Sequence, residues 1–303
     1  MTRRNCFLRS VLLCACFTIT LPSRAQNAAI STDPEPDKAN PAAMQSFQLD
    51  SHGSLLNAFV YIAAGSTPHP TGILLHGFPG NERNLDLAQS IRRAGWNVLY
   101  FDYRGSWGSP GDFSFNHGIE DAQSAIAYLR DTANAARLRS DGRTIVLVGH
   151  SMGGFVALEA GAFDSTIRAI VTISAADLGI SRLQAVPDDK REFAIKGIAA
   201  GLAHEGMAPL AGTSPEKLAN EILSNATKWS FVTLAPKLAT RPLLVITSDD
   251  GLAAPSDALV HSVEQLGNQK VNAIHISTDH SYSDHRIVLQ QAVLDNLALL
   301  NQK

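Results

Sequence analysis

Cysteine is nearly missing from this chain. Its three cysteines, Cys6, Cys14 and Cys16, all lie in the first sixteen residues. From residue 17 onward there is no thiol, which excludes disulfides, thiolate metal sites and a cysteine nucleophile there. An excess of basic residues is missing too. Twenty-five Lys and Arg stand against 28 Asp and Glu, for a formal net charge of -3. That gives no field for holding nucleic acid and singles out no charged partner. Beyond the N-terminus no apolar run approaches the roughly 18 residues of a membrane helix. Internal repeats are absent, which excludes solenoids and propellers.

The N-terminus has a distinct design. Arg3, Arg4 and Arg9 precede the apolar run "SVLLCACFTITL", and "SRA" follows. A basic start, a short apolar run and small residues at the cleavage positions predict a signal peptide over residues 1–25, cut after Ala25. The expected location is therefore the periplasm or the exterior, with no integral membrane segment in the mature chain. "TRRNCFL" is close to a twin-arginine signal displaced by one residue. "LCAC" is close to a lipoprotein box, but the apolar "FTITL" after it fits that poorly. Residues 26–45, small, polar and proline-containing, are expected to form a disordered linker.

From about residue 46 to the C-terminus the pattern alternates. "LLNAFVYIAA" is an early strand. "TGILLHG", "WNVLYFDY", "RTIVLVG", "IRAIVTIS", "RPLLVITS" and "NAIHIST" are apolar runs bounded by turn residues, the signature of strands buried on both faces. Between them lie helical faces, such as Ile119, Ala122, Ile126, Leu129 and Ala133, and, at the end, Val293, Leu294, Leu297 and Leu300. Strand and helix in alternation predict an α/β domain with a mostly parallel sheet and helices on both faces. Residues 178–236 interrupt the alternation with two helical patterns, the second opened by Ser214 and Pro215. This insertion is expected to be a small helical cap over a pocket or, alternatively, a packing pair with no role in access.

Within "VLVGHSMGGFVALEAG", Ser151 sits between a buried-strand run and a helical run, with Gly149 and Gly153 two residues away on either side. A strand–turn–helix of this kind is a nucleophile elbow. The turn is too sharp for side chains at the flanking positions, and it lifts the serine hydroxyl out at the strand end. The N-terminus of the following helix then points its free N–H groups at the same place.

A serine needs a base to take its proton, an acid to orient that base, and donors for an oxyanion. His280, in the loop after the strand "NAIHIST", is the candidate base; His285 is the reserve, and His275, inside the strand, is expected to be structural. The acid is expected after "RPLLVITS". Asp250 is preferred, Asp249 stays open, and Asp177 is a third candidate. The backbone N–H of Met152 supplies one oxyanion donor, and that of Phe78, in "HGFPGNE", supplies the other. "DHSYSDH" has the spacing of a metal pair but lacks a third ligand, so no metal or organic cofactor is expected.

Together, "HGFPG", "FDYRGSWGSPG", "GHSMGG", "VITSDDG" and "TDHSYSDH" resemble the α/β-hydrolase superfamily from about Phe47 onward, and the order Ser151, Asp250, His280 is typical of it. The chain departs from many members in having "DDGLAAP" one residue longer between the acid and its proline. The resemblance implies the α/β-hydrolase fold and places Arg104 and Gly105 on the pocket floor. It also implies a serine hydrolase acting on a small acyl ester or a short peptide through an acyl-enzyme. Within the superfamily the chain is similar to exported esterases and to acylaminoacyl-peptidase-like enzymes; the latter would need an anion for the substrate amine, for which Glu192 and Glu205 are candidates. A non-catalytic ligand-binding protein on the same fold is the third expectation. Phe78, Trp107, Phe193, Met207, Trp229 and Phe231 are candidates for lining an apolar pocket.

Overall fold

The structure is a computed structural model and describes residues 27–300. The expected signal peptide, with all three cysteines, lies outside the described residues. The chain runs β1 (Ala43–Ser51), β2 (Ser54–Ile62), β3 (His69–Leu75), α1 (Leu85–Arg93), β4 (Asn97–Phe101), α2 (Phe115–Arg130), α3 (Thr132–Arg137), β5 (Ser140–His150), α4 (Met152–Phe163) and β6 (Ala169–Ile173). It continues with α5 (Ser181–Gln184), α6 (Asp188–His204), α7 (Pro215–Asn225), α8 (Phe231–Leu238), β7 (Leu243–Thr247), α9 (Ala253–Gln265), β8 (Val271–His275) and α10 (Arg286–Leu300).

The eight strands form one sheet in the order β1-β2-β4-β3-β5-β6-β7-β8. The first two pairings, β1 with β2 and β2 with β4, are antiparallel, and the rest are parallel. The apolar runs explain the centre: β4, β6 and β7 are buried at every position. One face of the sheet is packed by α2, α4, α8 and α9 around Phe115, Phe155 and Trp229. The other is packed by α1 and α10 around Trp96, Tyr282 and Val293. The expected α/β architecture is therefore the one observed. β8 differs from its expectation. It is the last strand, so Asn272, Ala273 and His275 are exposed rather than buried on both faces.

The segment expected to be a disordered linker is instead attached to the domain. A short 3-10 turn spans Ala28–Ile30, and Ala29 is buried. The Asn27 N–H donates to Gln291 Oε1 at 2.7 Å, and the Arg93 guanidinium donates to the carbonyls of Ala29 and Ile30. β1 begins inside the expected linker, at Ala43. A polar composition did not prevent order because a few backbone groups found partners on α1 and α10.

The insertion is shorter than expected. α8 is a regular layer helix, burying Phe231, Leu234, Ala235 and Leu238, in contact with α4 and α9. The helices that stand apart from the layers are α5 to α7. The α7 start is capped as expected, with Ser214 Oγ accepting from the Lys217 N–H at 3.2 Å and Pro215 in the first turn. Glu221 on α7 accepts the N–H groups of Phe115 (3.0 Å) and Asn116 (2.9 Å), so it caps α2 and docks the insertion. Asp177 joins the two ends of the insertion, accepting from the N–H groups of Gly179 (2.7 Å) and Phe231 (3.3 Å). Among the described residues no helix is long and apolar enough to cross a membrane.

Candidate active site

β5, the central parallel strand, ends at His150, and α4 begins at Met152. Ser151 between them has φ 55° and ψ −122°, a backbone conformation that an ordinary residue adopts only under constraint. The constraint is visible in the glycines. A Cβ on Gly149 would lie 2.0 Å from the Gly153 carbonyl oxygen, and one on Gly153 would lie 2.0 Å from the Leu75 carbonyl oxygen. The turn is tied down by the Ser151 N–H donating to Ile173 O (2.9 Å) and by its carbonyl accepting from Ala176 N (3.1 Å).

The loop after β3 runs beside the hydroxyl. A Cβ on Gly77 would be 2.9 Å from Ser151 Cβ and 3.4 Å from its Oγ. Among the described residues, the backbone N–H groups of Phe78 and Met152 have no hydrogen-bond partner in the chain. The loop is held from behind. Trp107 Nε1 donates to Pro79 O at 2.8 Å, and the Arg83 guanidinium stacks 4.5 Å from the Trp107 ring centre. His76 Nδ1 contacts Gly77 O at 2.8 Å, and Tyr103 OH donates to His76 O at 3.2 Å.

His280 lies in the β8–α10 loop, and Asp250 in the turn after β7. Asp250 Oδ2 is 2.7 Å from His280 Nδ1, and Asp250 Oδ1 accepts from Leu252 N at 2.9 Å. Burial opposes the charge on Asp250. The hydrogen bonds from His280 and the Leu252 N–H, with the Ser174 hydroxyl, outweigh it and hold the carboxyl below its ordinary value. Ser174 (φ 44°) is itself joined to Ser248 Oγ (2.8 Å) and Tyr282 OH (3.0 Å) in a buried hydroxyl network.

The competing candidates are placed elsewhere. Asp249 is exposed and pairs with His275 Nε2 (2.9 Å) and the Ser277 hydroxyl. His285 pairs with Asp284 at 2.8 Å. Asp177 serves the neck of the insertion, not a histidine. Arg104 is not on the pocket floor. It is buried in an ion pair with Asp121 (2.6 Å) and Glu120 (2.5 Å) that fastens α2. Gly105 is needed for its positive φ of 63° and because a Cβ would meet Phe113 N at 2.3 Å.

Ser151, Asp250 and His280 line one cavity of about 490 Å³, whose apolar wall includes Phe78, Phe115, Met152 and Leu178, with Leu202 from α6. A smaller polar cavity of about 170 Å³ opens beside it, bordered by Asn81, Glu82, His150 and Ser281. Glu205, just after α6, borders both. The insertion thus contributes to the pocket wall. Of the expected aromatic lining, only Phe78 is in place. Trp229 and Phe231 are fully buried core, Phe193 is 80 % exposed, and Trp107 supports the 77–83 loop.

His150 was not anticipated from the sequence. Its ring is 3 % exposed, lies 4.7 Å from the His280 ring, and its Nε2 is 2.8 Å from the His280 carbonyl oxygen. Burial, then the neighbouring His280, hold its pKa down to about 4. Among the described residues no cluster of three or more His, Cys, Asp or Glu could hold a metal ion.

The alpha/beta hydrolase family profile matches residues 73–289, which span the elbow, the Asp250 turn and the His280 loop. The chain belongs to the alpha/beta hydrolase family. No curated protein sequence matches it. Among solved structures, this hydrolase is similar to Est1E from Butyrivibrio proteoclasticus, with TM-score 0.62 and 20 % identity over 85 % of this chain and 99 % of that one. It is also similar to an esterase from Pyrobaculum calidifontis, with TM-score 0.60 and 18 % identity over 86 % of this chain and 85 % of that one. An acylaminoacyl peptidase from Pyrococcus horikoshii matches with TM-score 0.60 and 18 % identity over 86 % of this chain and 42 % of that one. At such identities the likeness establishes the shared fold.

Proposed function

We propose that this hydrolase is exported and cleaves small carboxylic esters, with Ser151 as nucleophile, His280 as base and Asp250 as the acid that orients it. The 2.7 Å contact between Asp250 and His280, on a cavity that also contains the Ser151 turn, carries this reading. An ionised Asp250 accepts from Nδ1–H, so it fixes the imidazole tautomer whose Nε2 is a free acceptor. His280 takes the Ser151 proton as Oγ attacks the acyl carbon. The unpartnered N–H groups of Phe78 and Met152 receive the oxyanion. His280 then protonates the leaving alcohol and activates the water that releases the acid. The apolar wall of the larger cavity suits an acyl chain of modest length.

The export half of the proposal rests on the basic, apolar and small-residue segments of residues 1–25. A mature protein recovered from the periplasm or medium should begin at Gln26, and one that keeps its first 25 residues in the cytoplasm would contradict it.

Hydrolysis of p-nitrophenyl butyrate by the wild type and by Ser151→Ala tests the chemistry. The wild type turns over the ester and is labelled at Ser151 by a fluorophosphonate. Full esterase rate in Ser151→Ala would end the proposal.

A peptidase reading is favoured by one feature, Glu205 bordering both cavities, an anion that a substrate amine could pair with. Glu192, the other candidate, is exposed and paired with Lys196 at 2.7 Å. Turnover of aminoacyl anilides well above that of esters would select this reading.

A further inference from the structure

The residue directly before Ser151 has a feature that the hydrolytic steps above do not use. His150 Nε2 is 2.8 Å from the main-chain oxygen of His280. A carbonyl can only accept, so Nε2 carries the proton. Nδ1 of the same ring is buried without a partner, so the ring is neutral and has one donor, committed to that carbonyl. The two imidazoles are also in contact, with centroids 4.7 Å apart and planes at 42°.

The contact matters because of where the His280 loop sits. It follows β8, the exposed last strand, and among the described residues no further strand flanks it. Its other ties lie on either side of His280: the Ile276 N–H donates to Thr247 O at 2.9 Å, the Ser277 hydroxyl donates to Asp249, and the buried Tyr282 ring places its hydroxyl 3.0 Å from Ser174 Oγ. Asp249 N–H donates to Thr278 O at 3.1 Å, and Asp250 holds the ring. His150, in contrast, is the last residue of a central buried strand.

We infer that His150 is a positioning residue that ties the loop bearing the base to the strand bearing the nucleophile. One peptide unit links the clamp to Ser151, so the clamp and the turn move as one body. The Asp250 contact fixes the rotation of the His280 ring, and the His150 contact fixes the position of its backbone. Together they place Nε2 relative to Oγ, a relation in which an error of about 1 Å costs roughly 100-fold in rate. The inference rests on the role proposed above for Ser151 and His280. The charged and titratable groups around His150 are His280, Arg286 and Asp250.

The test separates positioning from folding. His150→Gln keeps an N–H at similar reach; His150→Phe keeps a ring but has no donor, and His150→Leu has neither. Rates are expressed per active site by fluorophosphonate titration, which removes any unfolded fraction. His150→Phe and His150→Leu are expected to lose about 10- to 100-fold in kcat with little change in KM, while His150→Gln stays within a few-fold of wild type. A kcat near wild type in both donorless variants overturns the inference, even if they melt earlier.

A second measurement needs no His150 variant and no turnover. In Ser151→Ala, nitrogen NMR of the imidazoles should show His150 protonated on Nε2 and protected from exchange. An Nδ1-protonated or freely exchanging His150 overturns the clamp, whatever Ser151→Ala does to esterase activity. Failure of the esterase proposal is read from that activity alone.

Discussion

Asp250 Oδ2 and His280 Nδ1 meet at 2.7 Å although thirty residues and an entire helix–strand unit separate them. The meeting also decides between adjacent acids. Asp250 turns inward with its side chain 5 % exposed, whereas Asp249 is 56 % exposed and paired at the surface. Asp250→Asn is expected to lower kcat by about 10³- to 10⁴-fold, since the amide no longer favours the productive tautomer. Asp249→Asn should leave kcat essentially unchanged. Steady-state kinetics on p-nitrophenyl butyrate checks both, and a large loss in Asp249→Asn would reverse the assignment.

The glycines flanking Ser151 have a different reason from those in α6. Gly149→Ala would bury a methyl 2.0 Å from a backbone oxygen, so it should cost more than about 4 kcal/mol and yield little soluble protein. Gly197, in the middle of α6, has open space where its Cβ would stand. Gly197→Ala should therefore stabilise the helix by about 0.5–1 kcal/mol. Thermal unfolding of both variants tests the contrast; a well-folded Gly149→Ala would refute the packing argument.

Glu205 borders both cavities and Glu82 the smaller one, and among the described residues no Lys or Arg borders the smaller cavity. Esters of an alcohol bearing a quaternary ammonium should have a lower KM than neutral esters of equal size. Glu205→Gln should raise that KM by about 2- to 5-fold, with the difference fading in high salt, because Glu205 is solvated. Neutral esters should be unaffected. Equal KM changes for neutral and cationic esters would mean that the side chain acts by shape.

Glu159 on α4 is 8 % exposed, and its Oε1 has no partner. Burial raises its pKa from 4.5 to about 7, against the pull of Lys228 and Lys237. The folded state then holds a proton that the unfolded chain releases above its ordinary value of 4.5. Its contribution to stability is greatest below that value, falls as pH rises towards 7, and is lost above it. The shift corresponds to at most about 3 kcal/mol. Glu159→Gln should gain stability over wild type between pH 5 and pH 8, as read by urea unfolding at both. Parallel curves would show that Glu159 is already ionised in the fold.

His76 and His150 act in the opposite sense. Burial holds both at about 4, so each stays neutral in the fold while the unfolded chain protonates near 6.5. Stability from these two residues is complete above 6.5 and is lost as pH falls towards 4. Unfolding near pH 5 should therefore take up protons, about two from this pair. Calorimetry in buffers of different ionisation enthalpy measures that uptake; none at pH 5 would contradict the neutral, buried assignment.

Much of the architecture was legible because the strands that matter are buried on both faces. "TIVLV" and "AIVTI" could only be central strands, and the elbow between "VLVGH" and "MGGFVAL" announced its own geometry through Gly149 and Gly153. The attachment of residues 27–45 has a local cause. "NAAISTDP" is polar, yet Ala29 buries against α1 and α10, and composition does not register a single small residue finding a hole. Phe231 and Trp229 belong to the core and not the pocket, since aromatic identity alone does not tell core from cavity. The role of His150 is not legible in the sequence, because a histidine beside a serine motif carries no sign of which loop its ring will reach.

By itself the sequence determined the strand–turn–helix around Ser151, the alternation that makes a parallel sheet, and the absence of any cysteine after residue 16. These depend on local periodicity and on steric limits within a few residues. Only the tertiary structure decided that Asp250, not Asp249, faces His280, that His150 bonds the His280 loop, and that Glu205 borders both cavities. Those relations join residues brought together by strand order and loop direction, and side-chain orientation in a turn is set by the neighbours it meets after the chain has folded.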